Sequence, residues 1–507
     1  QDFICRYTDY PVKGWKLTEG NPDTVALNVG VLQQTYLWSY EFAEAFVIAS
    51  FTIKNEDPTG GALTNIYLGI YTELASGWKG AYDTWPPSGW FDNKKIEFFP
   101  NLRMCGEHHY TYQAGTAPSW GAFALLGTAG DGIPPIDDPS LNLSFHWRHW
   151  DDVIDAIDRR EFFDRNRYEL MADGEIDSAS AAVPRETDPV TFMSVGPFNL
   201  APAESIVFVC AFLGGMDRAS LIENAEWAHK AFENNYVLPS PPPPPRFKVQ
   251  PARNRITMFW DSSPDTARDP FYKIPDFEGY RIYMTRKEGA LSQDFELVRE
   301  VDVIDSLGYD TGFESVLDPR TWVVDDTTTL YTDYSFDITN LKDGFKYWIA
   351  ITSFDKGMPE EGVESMESGV RATQVLAIPG TVADQPSRKV CVFPNPYKGE
   401  AIWDGERDKE KYIWFANLPE RATIRIYTLA GDLVKTIDFD ANTYSAHDVE
   451  GLGTKKERDG YVAMPGGMCA WDLISEQEQA VATGLYIFSV EDRKSGDNQI
   501  GKFMIIR

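Results

Sequence analysis

Short runs in which apolar and polar residues alternate recur along most of the chain. Glycine and proline separate them, and the pattern predicts strands far more often than helices. In the first 238 residues, 46–53 and 66–71 predict a strand pair joined by the turn 55–62. Residues 194–213 predict two more strands, turning at Ala201-Pro202-Ala203. The longest apolar run, 206–213, has the length of a strand and falls far short of the ~20 residues a membrane helix needs. Helical spacing occurs twice. Trp150, Val153, Ile154 and Ile157 repeat on one face with Asp151, Asp155 and Asp158 opposite, and Leu221, Ala225, Ala228 and Phe232 form a stripe within 221–236.

Pro239 and Pro241 to Pro245 interrupt the alternation, predicting a polyproline II spacer over 239–246. In 247–378, Ile256, Met258 and Trp260 alternate with Thr257 and Phe259, which places Trp260 on an inner face. Residues 277–283 predict the next inner strand. In Leu341-Lys342-Asp343-Gly344-Phe345-Lys346-Tyr347, Tyr347 stands where a corner tyrosine returns its hydroxyl to upstream backbone. Tyr347, Ile349 and Ile351 then face inward, with Trp348 and Thr352 outward. The stretch 291–333 is too long for a plain connection and predicts extra strands. Together these features resemble a fibronectin type III sandwich. A second, softer linker spans 379–388.

The tail, 389–507, opens with Val392-Phe393-Pro394-Asn395-Pro396-Tyr397. Pro394 and Pro396 bar a central strand, so this segment with Asn395 predicts an edge or lead-in element. Strand patterns follow at 422–427 and 433–437, then around Trp471, at 484–490, and at the basic-apolar end 502–507. This order resembles the C-terminal sorting domain of type IX secretion cargo and the related Ig-like domain of the flagellar hook-cap protein. The resemblance implies export across an outer membrane to the extracellular space or cell surface, and it implies no reaction. A start at Gln1 fits a mature chain whose signal peptide is gone. The expected fold class is mainly β: tandem Ig/fibronectin III-like β-sandwiches after a larger N-terminal β-rich domain (1–238) with a few helices.

A net charge of −30 argues against nucleic-acid binding and against docking on anionic lipid. The cysteines, 5, 105, 210, 391 and 469, show no zinc or haem spacing. Cys391 with Cys469, and Cys5 with Cys105, could form disulfides in an oxidising compartment, the alternative being isolated buried thiols. Cys105, His108 and His109, with the pair His146 and His149, could ligate zinc or copper; hydrogen-bonded histidines are the alternative. Asp151, Asp152, Asp155, Asp158, Glu161 and Asp164 could pair as glycosidase carboxylates, or lie as a solvated helix face. Two acidic runs, Asp131 with Asp137 and Asp138, and Asp261 with Asp265 and Asp269, are candidates for calcium, though neither has an EF-hand pattern. No cofactor is otherwise implied.

Trp78, Tyr82, Trp85, Trp90 and Phe91 cluster in a Gly- and Pro-rich loop. Such rings could stack on surface glycans or anchor a partner, or pack beneath the loop. No serine-hydrolase, zincin or P-loop signature occurs. The sequence therefore points to a non-enzymatic extracellular structural subunit that self-associates into a filament or layer. The alternatives are a monomeric glycan-binding adhesin and an accessory module of a secreted hydrolase.

Overall fold

The computed structural model describes residues 2–9, 27–57, 59–74, 94–109, 119–149, 164–177, 189–323, 329–383, 388–399, 411–444, 449, 452 and 462–506. The chain divides into two compact units, 1–238 and 239–507. Both are built mainly from antiparallel strands, as the alternating pattern requires.

Unit 1 holds β1 (Asp2–Thr8), β2 (Val29–Tyr36), β3 (Phe46–Asn55), β4 (Leu63–Thr72), β5 (Lys94–Phe99), β6 (Met104–His109), β7 (Trp120–Ala129), β8 (Asn142–His149), β9 (Pro189–Leu200) and β10 (Ser205–Gly215). Seven of these form one sheet in the order β1-β2-β3-β10-β7-β6-β5, and β4-β9-β8 form another. Apolar side chains from both sheets meet in a common core that includes Phe123, Phe145, Val195, Phe198 and Phe208. Phe98 of β5 stacks on Phe145 of β8 with ring centroids 4.6 Å apart.

The expected pairing of β3 with β4 does not form. β3 pairs with β2 and β10, whereas β4 pairs with β9 in the other sheet. The turn between them is long enough to cross the core, and Asn55 secures the crossing by donating to the Gly61 and Leu200 carbonyls at 2.8 and 3.1 Å.

Helix α1 (Asp164–Ala172) packs on the smaller sheet and α2 (Arg218–Glu233) on the larger. Asp217 starts α2, its carboxylate accepting from the Ser220 amide at 2.8 Å while its own amide donates to the Ser220 hydroxyl at 3.0 Å. Leu221, Ala225, Trp227, Ala228 and Ala231 are buried beneath it. Gly127 makes room for the helix, since a Cβ there would lie 2.3 Å from the Phe232 ring.

Unit 2 begins with the proline run. Pro239, Pro242 and Pro245 are buried, which is the three-residue period of polyproline II laid against a surface. That helix has no internal hydrogen bonds, so its carbonyls need outside donors. The Ser353 hydroxyl lies 2.8 Å from the carbonyl oxygens of both Pro242 and Pro243.

The next strands are β11 (Phe247–Ala252), β12 (Arg255–Trp260), β13 (Phe277–Thr285), β14 (Glu296–Asp302), β15 (Leu317–Val323), β16 (Thr329–Thr339), β17 (Tyr347–Asp355) and β18 (Val375–Ala377). The sheet β11-β12-β16-β15 faces the sheet β14-β13-β17-β18, which is a fibronectin type III-like sandwich with β15 as an added edge. Ile256, Met258, Trp260, Tyr280, Ile282, Ile349 and Ile351 fill it. At the corner, the Lys342 amide donates to the Tyr347 hydroxyl at 3.1 Å.

The final strands are β19 (Cys391–Phe393), β20 (Tyr397–Lys398), β21 (Ile413–Ala416), β22 (Arg421–Thr428), β23 (Leu433–Asp440), β24 (Val462–Ala463), β25 (Met468–Trp471), β26 (Gly484–Asp492) and β27 (Asn498–Ile506). The sheets β19-β21-β25 and β20-β27-β26-β22-β23 enclose Tyr397, Phe415, Trp471, Phe488 and Phe503. The Trp471 ring nitrogen donates to the Ile474 carbonyl at 2.9 Å. Between Pro394 and Pro396, the Asn395 side chain accepts from the Met504 amide at 3.1 Å, so this lead-in segment is tied to β27.

The two sandwiches of unit 2 share a core. Trp348, Leu376 and Ile378 pack with Trp414, Val462 and Met468, and β24 extends the fibronectin-like sheet by pairing parallel to β18. Trp348 faces away from its own sandwich, as expected, yet is 2% exposed because the C-terminal sandwich covers it. Pro379, Gly380 and Thr381 are buried at the same joint. Gly344, at φ 81°, donates its amide to the Pro379 carbonyl at 2.8 Å, and its carbonyl accepts from the Trp414 ring nitrogen at 3.2 Å.

A Cβ on Gly344 would lie 2.6 Å from the Phe393 ring and 2.9 Å from the Trp414 ring. Gly344→Val adds that clash to a left-handed backbone conformation a β-branched residue resists. It is expected to destabilise unit 2 by about 3 kcal/mol, read as a lower urea midpoint of the full chain. An unchanged midpoint would show that this joint does not hold the sandwiches together.

Candidate functional site

Several residues singled out by the sequence lie outside the described residues. These are the aromatic loop Trp78, Tyr82, Trp85, Trp90 and Phe91, and the acidic stretch Asp151, Asp152, Asp155, Asp158 and Glu161 with its apolar partners. Asp164 begins α1, but its side chain is not described.

The cysteines are free thiols, which corrects both disulfide pairings. β1 and β6 are separated by four strands of one sheet, so Cys5 and Cys105 are far beyond bridging distance. β19 and β25 flank β21, with Cys391 exposed and Cys469 buried in the core. Burial pushes the Cys210 and Cys469 thiols up to about 12 and Cys105 higher still, so these three are unreactive at neutral pH.

The zinc or copper grouping does not assemble among the described residues. Cys105 points into the core while His108 stacks on Trp120 with ring centroids 4.0 Å apart. His146 is committed to α1 and the loop after it. Its Nε2 lies 3.1 Å from both the Leu170 carbonyl and Asp173 Oδ1. The acidic calcium candidates are not gathered around one point among the described residues either. Asp261 pairs with Arg246 at 2.7 Å, Asp265 accepts from the Tyr334 hydroxyl at 2.6 Å, and Asp138 caps the Ser140 amide at 2.8 Å.

Two other features stand out. The first is the outer side of β1, which among the described residues pairs only with β2. Phe3, Ile4 and Tyr7 are 56, 68 and 46% exposed, so an apolar edge lies open on both faces of the strand. The second is a groove of about 470 Å³ in the C-terminal sandwich, between β23 and β25. Phe439, Cys469 and Trp471 line it together with Lys435, Asp438 and Arg493.

Of the buried acidic end of the fibronectin-like sandwich, the sequence singled out Asp269 alone. Antiparallel pairing sets the start of β13 beside the ends of both neighbours, Gly279 opposite Asp302 and Phe277 opposite Asp355. Asp269, Asp276, Glu278, Asp302 and Asp355 are all buried there. Asp269 is satisfied by the amides of Ser240, Phe271 and Tyr272 at 3.0, 2.8 and 2.6 Å. Asp302 accepts from the amides of Tyr309, Asp310 and Thr311 at 2.5, 3.1 and 2.6 Å. Asp355 Oδ1 accepts two amides, but among the described residues its Oδ2 has no hydrogen-bond partner, and neither oxygen of Glu278 has one.

Burial, then repulsion from Asp305 and Asp302, pushes the Glu278 carboxyl up to about 7, with Lys356 opposing. Burial and the charge of Asp269 raise Asp276 to about 6. For Asp355, burial outweighs its two amide bonds and gives about 6. Burial also acts on Asp302, but its hydrogen bonds prevail and hold it below the ordinary range. The sequence signal was a carboxylate at the ends of three successive sheet neighbours, which shows only once their order is known.

No family model matches the chain, and no curated protein matches it. Among solved structures it is similar to PorZ, an essential bacterial surface component of the type-IX secretion system of Porphyromonas gingivalis. The identity is 13% and the TM-score 0.16, with 52% of this chain and 45% of that one covered. The chain thus spans less than half the length of PorZ. It is also similar to the central fibronectin-III array of RIM-binding protein, at 10% identity and a TM-score of 0.14, covering 53% of this chain and 69% of that one. The FN1–FN3 domains of chicken CNTN1 match at 10% and 0.15 over the same shares. Likenesses at TM-scores this low carry no argument about this chain.

The raised carboxyls carry a pH signature. Each binds a proton in the folded state that the unfolded chain has already lost, so stability falls as pH rises from about 5 through about 7. The depressed Asp302 acts oppositely and matters only on further acidification. In chelator-treated buffer, the urea midpoint is expected to be higher at about pH 5 than at about pH 8, and Glu278→Gln with Asp355→Asn should flatten the difference. A midpoint that climbs with pH would contradict this.

Proposed function

We propose that the chain is a non-enzymatic, secreted cell-surface protein that assembles with copies of itself into a filament or layer. The observation that carries this reading is the β1 edge. A seven-residue strand, paired on one side only among the described residues and bearing exposed Phe3, Ile4 and Tyr7, is a template for adding another strand. Among the described residues, β1 and β2 lie at one end of a seven-stranded sheet whose facing layer has three strands, and a second copy would cover their outer end. A joint of unlike surfaces, repeated head to tail, builds an open filament. Export to the surface is supported by the ordered strand series of the tail, from Asn395 and its prolines to β27.

Electron microscopy and light scattering of the full chain test this reading. The unaltered protein should form higher assemblies, and Ile4→Lys with Tyr7→Lys should weaken association by roughly tenfold or more, because each side chain loses its burial in the joint. A monodisperse monomer across salt and calcium conditions would sink the proposal.

A further inference from the structure

We propose that the acidic end of the fibronectin-like sandwich binds a divalent cation, calcium by its chemistry, between the Glu278 carboxylate and the turn 303–312. Glu278 is 3% exposed, and both its oxygens are buried without a hydrogen-bond partner among the described residues. Protonation would not meet that need, since a neutral carboxyl still presents a donor and an acceptor to the same empty surroundings. A cation satisfies both oxygens at once and offsets the neighbouring charges. Lys356, an exposed side chain, opposes the negative charges around Glu278.

The turn is built to face Glu278. Gly308, at φ 63°, brings the backbone so close that a Cβ there would lie 2.5 Å from Asp302 Oδ2 and 3.9 Å from Glu278 Oε1. Two carboxylates thus border one small space. Val303 donates its amide to the Glu278 carbonyl at 2.8 Å, closing the turn over β13. On the rim, Asp310 Oδ1 accepts from the Asp305 and Ser306 amides at 2.9 and 2.7 Å, and Asp305 Oδ1 from the Leu307 amide at 3.0 Å. The second oxygen of each exposed carboxylate is uncommitted.

The donors named here are all oxygen, the set that calcium takes in numbers of six to eight and that softer metals do not prefer. Among the described residues, no three His, Cys, Asp or Glu side chains are already gathered around one point. Binding therefore draws the rim carboxylates of Asp305 and Asp310 onto Glu278, and water completes the shell. The site is distinct from the runs Asp131–Asp138 and Asp261–Asp269.

The test uses the full chain stripped with chelator, titrated with calcium chloride by calorimetry and followed by thermal unfolding. Saturable binding is expected, with unfolding shifted upward by roughly 5 °C at one hundred times the Kd. Glu278→Gln should abolish both responses while its circular dichroism stays that of the unaltered protein. Should that variant fail to fold, Asp305→Asn with Asp310→Asn decides, because both side chains are exposed: binding should weaken by at least tenfold. Absence of any calcium response in the unaltered chain, or unweakened binding in the variant that folds, would overturn the proposal. An equal response to magnesium would overturn the assignment to calcium.

Discussion

Trp348 sits on the solvent side of a sandwich that is complete without it, and the whole of unit 2 is arranged so that this ring never meets solvent. The C-terminal sandwich supplies Trp414, Val462 and Met468 to cover it, and it lends β24 to the fibronectin-like sheet. Burying two indoles removes several hundred square ångströms of apolar surface from water, worth several kcal/mol. The close approach depends on Gly344, whose missing Cβ lets Phe393 and Trp414 reach the corner backbone. One backbone position therefore belongs to two sandwiches at once. The joint also explains why residues 379–381, with the turn and linker composition of Pro-Gly-Thr, are buried and hydrogen-bonded rather than loose.

Antiparallel order has a second consequence at the far end of the same strands. Where β13 begins, β14 and β17 end, so the carboxylates that stand at these termini become neighbours. Asp269 and Asp302 resolve the conflict by capping turn amides, which water would otherwise have served. Glu278 and Asp355 do not resolve it. A sandwich needing only stability would carry apolar or amide side chains at these positions, because an unpartnered buried carboxylate costs far more than the contact it replaces. Retaining the charge makes chemical sense where something positive is meant to share the space.

How much of this was legible follows from what periodicity can report. The inner faces of the fibronectin-like sandwich, Ile256, Met258, Trp260, Tyr347, Ile349 and Ile351, came directly from alternation, because every second side chain of a strand shares one face and here that set is uniformly apolar. So did the Ala-rich stripe of α2, and Asn395 between its prolines as an edge element. Alternation does not say which strand lies beside which. β3 and β4 look like a hairpin but enter opposite sheets, and Thr352 points outward yet is buried beneath Glu367. The acidic end failed for the same reason: Asp276, Glu278, Asp302 and Asp355 are scattered over eighty residues and meet only through sheet order. The cysteine pairings failed because shared domain membership says nothing about the strands between.

Charge sets the terms on which the β1 edge could be used. A chain of net charge −30 repels its copies at long range, and that repulsion is screened within about 10 Å at moderate salt. The apolar contact at Phe3, Ile4 and Tyr7 acts only at touching distance. Strand addition through β1 would therefore be slow where salt is dilute and would hold once made, since backbone bonds and apolar burial are little affected by screening. Under the proposed assembly, such a surface would stay monomeric where salt is dilute and associate where ions are plentiful. The same ionic setting would fill the proposed cation site at Glu278 and so lower the negative charge of unit 2.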